Sequence, residues 1–170
     1  GNNGVAVCVE ESPLAPTEVY AESKAAAEQF FYDQLDKHAI LRLATFYGPN
    51  MRTSLATSIF INAIKNDEQI RIHGTGLQTR CYTHVDDIAS GIIAVLESGQ
   101  NGIYNISSDE EINVIDLIEL ISELMGKTAN TVHVNDRFGQ INKSKISSKK
   151  LRELGWEPKY DLKTGLLTCL

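Results

Sequence analysis

Helical and strand-like apolar patterns alternate along this chain. Residues 17–37 combine strong helix formers with an apolar side, and they precede a short apolar run over 39–47 that Gly48-Pro49 ends. Such a run is typical of a buried strand followed by a turn. Because helices alternate with the strands, the chain is expected to form an α/β fold whose strands pair in parallel.

The same alternation continues to about residue 154. The pattern predicts helices over 55–64, 88–96, 114–125 and 148–154, with strands over 69–73, 103–106 and 131–134. One of Asp86 and Asp87 is expected to cap the helix that starts at Ile88, because a carboxylate can accept the amide hydrogens of a first turn. Gly126 is expected to close the helix over 114–125.

The composition limits the classes of protein to which this chain can belong. With 170 residues and 42% hydrophobic content, it can bury a core of its own. The net charge of −6 argues against nucleic acid as the main partner, since binding to phosphates needs a basic surface. No apolar run reaches the roughly 18 residues of a membrane span, so no membrane partner is expected.

The cysteines and histidines show no pattern typical of a metal site. Cys8, Cys81 and Cys169 are odd in number and far apart, and the four histidines are scattered. This spacing fits neither a disulfide framework nor a set of zinc ligands. We therefore expect no metal and a reducing, cytoplasmic setting.

Tyr20 and Lys24 stand four residues apart in the first predicted helix, with Pro16 just ahead. Side chains at this spacing share one helix face, so an ammonium group can lie beside a phenol. That proximity favours the phenolate, which is a usable general base nearer neutral pH. The same spacing also occurs on solvated helix faces, so these two residues alone leave both interpretations open.

Four further stretches follow the tyrosine and the lysine. They are LRLATFYGP at 41–49, GTGLQTRCYTHVDDIASGI at 74–92, GIYNISSDEEINVIDLIELI at 102–121 and LRELGWEPKYDLKTGL at 151–166. In this order they resemble the extended short-chain dehydrogenase/reductase family, specifically its NAD-dependent nucleotide-sugar epimerases, dehydratases and decarboxylases. The resemblance covers essentially the whole chain.

The resemblance implies a partial Rossmann-type parallel sheet with a smaller α/β substrate-binding lobe. Residues 1–49 and 85–108 correspond to the C-terminal part of the NAD-binding domain, and residues 50–84 and 109–170 to the lobe that binds the sugar nucleotide. The family's glycine-rich turn, which holds the cofactor pyrophosphate at a helix N-terminus, has no counterpart in this sequence. We therefore expect the chain to be the C-terminal half of a longer enzyme.

The resemblance also implies roles for individual residues. Tyr20 would be the catalytic base, Lys24 would bind the nicotinamide ribose beside it, and Leu43 would also lie at the cofactor. The residues expected at the substrate are Thr45, Arg80 and Arg137. Thr45 replaces an asparagine that is usual in the family. The two arginines would grip the diphosphate, for which a guanidinium has a permanent charge and a bidentate shape.

The implied cofactor is NAD, with NADP less favoured, although the sequence does not decide between the two. The implied substrate is a nucleotide-diphosphate sugar that reacts through a keto intermediate. A homodimer formed through helices that include residues 17–37 is also implied. The first alternative is a non-catalytic module that binds nucleotide sugars and lacks the dinucleotide-binding half. A second is an NADP-dependent carbonyl reductase of the same superfamily, against which Arg80 and Arg137 argue. The sequence specifies neither the sugar nor the base, and it does not separate epimerase from dehydratase or decarboxylase.

Overall fold

The computed structural model describes residues 7–108, 110–136 and 142–170. Within these ranges the chain forms six helices and seven strands. The helices are α1 Val19–Gln34, α2 Ala56–Lys65, α3 Val85–Ser98, α4 Val114–Met125, α5 Lys149–Arg152 and α6 Leu162–Leu167. The strands are β1 Ala39–Leu43, β2 Thr45–Tyr47, β3 Gln69–His73, β4 Thr79–His84, β5 Gly102–Ile106, β6 Glu111–Asn113 and β7 Asn130–Val134.

The strands form three small sheets in which parallel pairs predominate. β1 pairs with β5, β2 with β4, and β3 with β7, each in parallel, while β6 joins β4 in the antiparallel direction. The predicted α/β class with parallel pairing is confirmed. Among the described strands only β5 lies beside β1, so the other edge of β1 has no strand partner in that part of the chain.

The apolar run over 39–47 forms two strands rather than the single buried strand that we predicted. The chain pairs with β5 up to Leu43 and with β4 from Thr45 onward. Ala44 marks the change, and its amide donates a hydrogen bond to the carbonyl of Ile106 at 3.0 Å. Leu43 and Phe46 are exposed, because this part of the sheet borders an open cavity instead of a packed layer.

The prediction that Asp86 or Asp87 caps α3 is wrong. The N-cap is His84, whose Nδ1 accepts a hydrogen bond from the Asp86 amide at 3.2 Å. The Asp87 carboxylate accepts instead the backbone amides of Lys159 and Tyr160. α3 consequently begins at Val85, ahead of the predicted start.

Other predicted elements agree with the structure to different degrees. α4 has the predicted bounds, and Gly126 closes it in the left-handed conformation at φ 63°. The helices predicted over 17–37 and 148–154 are shorter than expected. Three elements were not predicted: β4, whose residues are largely polar although most are buried, the short β6, and α6 with only six residues.

The apolar side chains of the described residues form two separate cores. The larger one, the lobe core, joins α2, α4 and α6 with β3, and its buried members include Phe60, Ile64, Ile70, Ile72, Leu117, Ile121 and Leu166. The smaller one, the sheet core, joins α3 and β5 with Leu151 and Trp156. Tyr47 from β2 belongs to the lobe core, so the first strands of the chain reach into that core. The division into domains at residues 49, 85 and 108 stays a prediction.

Three further features bear on the function. None of the described helices combines the length and the apolarity that crossing a bilayer requires. In the described ranges, no three His, Cys, Asp or Glu side chains converge where they could hold a metal ion. Cys81 is buried, whereas Cys8 and Cys169 are half-buried, and all three are thiols.

Candidate active site

Tyr20 and Lys24 lie on one face of α1, close to its N-terminus. The helix begins at Val19, with Glu18 as its N-cap, three residues after Pro16. Lys24 Nζ lies 5.5 Å from the centroid of the Tyr20 ring, so the two side chains meet as their spacing predicts. Tyr20 is 72% exposed, and its hydroxyl is accessible to a ligand.

A cavity of about 900 Å³ separates α1 from the strands β1 and β2. Tyr20 and Lys24 line it from the helix, while residues 39–46 line it from the strands. Leu43 and Thr45, two of the predicted site residues, therefore border the same cavity as Tyr20. The volume is within the usual range for ligand pockets, and the cavity extends to the carboxyl end of β1, where open α/β sheets bind ligands.

Arg42 connects α1 to the sheet at this cavity. Its Nε and Nη2 donate to the Glu28 carboxylate at 3.0 and 2.5 Å, and its Nη1 donates to the backbone carbonyl of Glu10 at 2.7 Å. The hydrogen bonds to Glu28 raise the pKa of Arg42 above its usual value. We did not predict this pair, because α1 and β1 are separate elements and their approach is not visible in the sequence.

Arg80 is half-buried on β4. Its Nη1 donates to the carbonyl of Thr79 at 2.6 Å, and none of the ion pairs among the described residues includes it. Burial lowers the pKa of Arg80, because the charged form loses hydration. A half-buried guanidinium without a carboxylate partner is suited to an anionic ligand.

The sheet brings Thr45 and Arg80 onto adjacent strands. Thr45 pairs in register with Tyr82, which follows Arg80 by two residues on β4. Burial raises the pKa of Tyr82, so its phenol stays neutral at physiological pH. Among the predicted site residues, Tyr20, Lys24, Leu43 and Thr45 thus share one cavity, and Arg80 lies on the strand next to Thr45.

Arg137, the second predicted arginine, lies outside the described residues. The nearest described residues on either side, Asp136 and Asn142, both lie beside the segment that connects β3 to β4. A Cβ added to Gly74 would contact the Asp136 carboxylate at 2.8 Å, and the Thr79 amide donates to the Asn142 carbonyl at 2.9 Å. The role of Arg137 stays a prediction.

A polar cluster at the N-terminus of α3 holds the C-terminal segment in place. The Asp87 carboxylate accepts the amides of Lys159 and Tyr160 at 2.8 and 3.2 Å. Trp156 Nε1 donates to the carbonyl of Asp87, and the His84 ring stacks on the Tyr160 ring at a centroid distance of 3.9 Å. We call His84, Asp87, Trp156 and Tyr160 the C-terminal clasp. The contacts of Asp87 with Lys159 and Tyr160 were not predicted, because two aspartates ahead of an apolar run are typical of a helix cap.

Comparison with known proteins agrees with this fold. The model of the family described as "NAD dependent epimerase/dehydratase family" matches residues 6–107. The chain belongs to that family. The dTDP-D-glucose 4,6-dehydratase of Homo sapiens is 36% identical to this chain over 169 residues. That match covers 92% of this chain and 48% of the human protein.

Solved structures of the family resemble the chain in three dimensions. The dTDP-glucose 4,6-dehydratase of Bacillus anthracis, in complex with NAD, has a TM-score of 0.88 and 30% identity over 95% of this chain and 54% of its own. The UDP-glucose 4-epimerase of Thermotoga maritima, with UDP-glucose, has a TM-score of 0.86 and 30% identity over 95% of this chain and 55% of its own. The chain spans about half the length of the relatives that it matches.

Proposed function

We propose that the native protein containing this sequence is an NAD-dependent epimerase or dehydratase that acts on a nucleotide-diphosphate sugar through a keto-sugar intermediate. The observation that carries the proposal is the position of Tyr20 and Lys24, side by side on a cavity that Leu43 and Thr45 also line. Membership of the NAD dependent epimerase/dehydratase family supports it. The names of two relatives, a dTDP-D-glucose 4,6-dehydratase and a UDP-glucose 4-epimerase, support this class of substrate.

The cavity suits the nicotinamide end of NAD. It offers an exposed ammonium at Lys24 for a ribose hydroxyl, and an exposed apolar side chain at Leu43 for the flat face of a ring. NAD, when bound, supplies the acceptor for the hydride that leaves a sugar carbon. The proposal assigns no residue to the cofactor pyrophosphate, because the printed sequence contains no counterpart of the glycine-rich motif that binds it.

Tyr20 performs the proton transfer in this proposal. Its phenolate oxygen accepts the proton of a sugar hydroxyl while the carbon that bears this hydroxyl is oxidised, which leaves a ketone on the sugar. Lys24, whose Nζ lies 5.5 Å from the centroid of the Tyr20 ring, orients that ring. The exposure of Tyr20 fits this role, since a base must reach the proton that it abstracts.

Arg80 binds the diphosphate of the substrate in this proposal. It is half-buried, it has no carboxylate partner among the described residues, and it lies on the strand next to Thr45. A diphosphate would supply the counter-charge that Arg80 lacks in this structure. We propose that Arg137 acts with it, and that the native protein is a homodimer in which exposed apolar side chains of α1 contribute to the contact.

The proposal is tested with Tyr20→Phe in the native protein, and Tyr32→Phe on the same helix is the matched control. Both tyrosines are exposed, so neither change should affect folding. We expect Tyr20→Phe to lower kcat by about 100-fold or more on a UDP- or dTDP-sugar that the wild-type protein turns over. The reason is that general base catalysis accelerates reactions on the order of 100- to 10,000-fold. Binding of NAD and of the sugar nucleotide, measured by calorimetry, should stay within about threefold. Turnover of Tyr20→Phe equal to that of Tyr32→Phe would refute the role of Tyr20.

A further inference from the structure

α1 is attached to the rest of the described structure by few contacts. None of its sixteen residues is buried, although Val19, Phe30 and Phe31 are large and apolar. Within the described residues, the hydrogen bonds between Arg42 and Glu28 are the only ones that join a side chain of α1 to another element. The position of the helix over the cavity therefore depends strongly on one ion pair.

Arg42 fixes two segments to the sheet at once. Its fork binds the Glu28 carboxylate on α1 through two nitrogens, and the third nitrogen binds the carbonyl of Glu10 in the segment that leads into α1. Glu10 is itself buried, and its carboxylate accepts the amide of Asn105 on β5 at 2.9 Å. Asn105 is the register partner of Arg42. Arg42 is thus fixed in position on β1, and its guanidinium anchors α1 through Glu28.

The pair is sheltered enough to keep a defined geometry. The Arg42 and Glu28 side chains are 22% and 16% exposed, so water competes less for these hydrogen bonds than on an open surface. Two parallel bonds between a guanidinium and a carboxylate also restrict rotation, which a single bond does not. Both features favour a role in orientation.

Glu28 lies on the same face of α1 as the reactive pair. Tyr20, Lys24 and Glu28 follow one another at intervals of four residues, and all three line the cavity. At 1.5 Å per residue, Glu28 is about 12 Å from Tyr20 along the helix axis. A tilt of α1 by about 5° around this anchor would move Tyr20 by about 1 Å, and a misplacement of that size can reduce a rate by about 100-fold.

We propose that Glu28 and Arg42 are positioning residues that set the place of Tyr20 and Lys24 over the cavity. This inference rests on the proposed function, in which Tyr20 is the base. The pair touches neither reacting group and acts through the orientation of α1. Its loss should therefore reduce the rate of the chemical step more than the affinity for the substrate.

The kinetic test compares Glu28→Ala with Glu22→Ala in the native protein. Glu22 lies on the same helix, is exposed and forms no side-chain bond in the described structure, so it is the matched control. We expect Glu28→Ala to lower kcat about 10- to 100-fold, with KM for the sugar nucleotide within about twofold of wild type. A kcat within about twofold of that of Glu22→Ala would overturn the proposal, and so would a change confined to KM.

Partner variants test whether the two residues act as one unit. Arg42→Lys keeps the charge but cannot form the fork, so we expect a loss of kcat close to that of Glu28→Ala. The double variant Glu28→Ala/Arg42→Lys should be no slower than the worse single variant, because the interaction is already lost. Losses that multiply would show that the residues act separately and would contradict the proposal. Glu28→Gln, which keeps the side-chain volume, replaces Glu28→Ala if the alanine variant does not fold.

A measurement without turnover separates this proposal from the proposed function. Hydrogen exchange of the α1 amides should be faster by about tenfold or more in Glu28→Ala than in Glu22→Ala, because the helix opens more easily without its anchor. Equal exchange would overturn the anchoring role. If the wild-type protein turns over no sugar nucleotide, the proposed function fails, and the exchange rates still decide whether the pair anchors α1.

Discussion

The C-terminal clasp and the region of α1 and β1 differ in how far their polar groups are hydrogen-bonded and their apolar side chains are buried. In the clasp, the Asp87 carboxylate is buried and accepts two backbone amides. In the region of α1 and β1, Tyr20 and Phe30 are 72% and 61% exposed, and Tyr20 borders a cavity of about 900 Å³. The first region is complete in this chain, whereas the second presents groups that a ligand or another polypeptide segment can cover.

The clasp shows how a few polar contacts tie distant segments together. Because Nδ1 of His84 accepts the Asp86 amide, the other ring nitrogen carries the hydrogen and donates to Thr168 Oγ1 at 3.0 Å. Trp156 Nε1 donates to Ser90 Oγ at 2.9 Å in addition to the Asp87 carbonyl. Hydrogen bonds of this kind, once buried, are expensive to break. The clasp therefore stabilises the fold.

The α1 region shows the opposite balance, which fits a functional site. Regions that bind ligands are generally drawn from the less stable parts of a protein. The side chains proposed for chemistry are on a helix with no buried residue among the sixteen that the structure describes. Stability and reactivity are thus separated in this molecule. The following substitutions in the 170-residue chain test that separation.

The largest effect is expected in the lobe core. Phe60 is 7% exposed and packs in that core. Phe60→Ala should lower the free energy of unfolding by about 3–5 kcal/mol, because it removes buried surface and leaves a cavity. Urea denaturation followed by circular dichroism measures the change. A loss below about 1 kcal/mol would mean that the core is not packed as described.

The next largest effect is expected in the clasp. Asp87→Asn keeps the size of the side chain but replaces one carboxylate oxygen with an NH₂ group. One of the two backbone N–H groups, that of Lys159 or that of Tyr160, then has no acceptor. We expect a loss of about 2–4 kcal/mol in the free energy of unfolding. Asp86→Asn is the matched control, since Asp86 is exposed and its change should cost less than about 1 kcal/mol. Equal losses in the two variants would contradict the role of the clasp.

The smallest effect is expected on α1. Phe30→Ala should change the free energy of unfolding of this chain by less than about 1 kcal/mol, because the ring is already largely in water. The same denaturation experiment provides the comparison with Phe60→Ala. If the two phenylalanine variants lose similar stability, the contrast between the regions does not hold.

Local patterns in the sequence predicted much of the fold. α4 could be located because its helical period is regular and a glycine follows it. The run over 39–47 could not be divided correctly, since the change of partner at Ala44 depends on where β5 and β4 lie. β4 was missed because its burial comes from the surrounding elements and not from apolar residues of its own.

The candidate site could be predicted only where its residues are close together in the sequence. Tyr20 and Lys24 are neighbours on one helix, so their spacing was sufficient. Glu28 and Arg42 meet across two elements, and Asp87 meets the amide of Lys159, which is 72 residues away. Contacts of this kind follow from the packing of helices on sheets. The local sequence pattern contains no signal for them.

The central claim is that ligands bind in the region of α1 and β1 and order it. Hydrogen exchange of the native protein, with and without NAD and a UDP- or dTDP-sugar, tests this claim most directly. We predict that residues 19–46 exchange more slowly when both ligands are present, while the amides of α4 in the lobe core change little. Protection confined to the lobe core, or none in residues 19–46 at saturating ligand, would contradict the account.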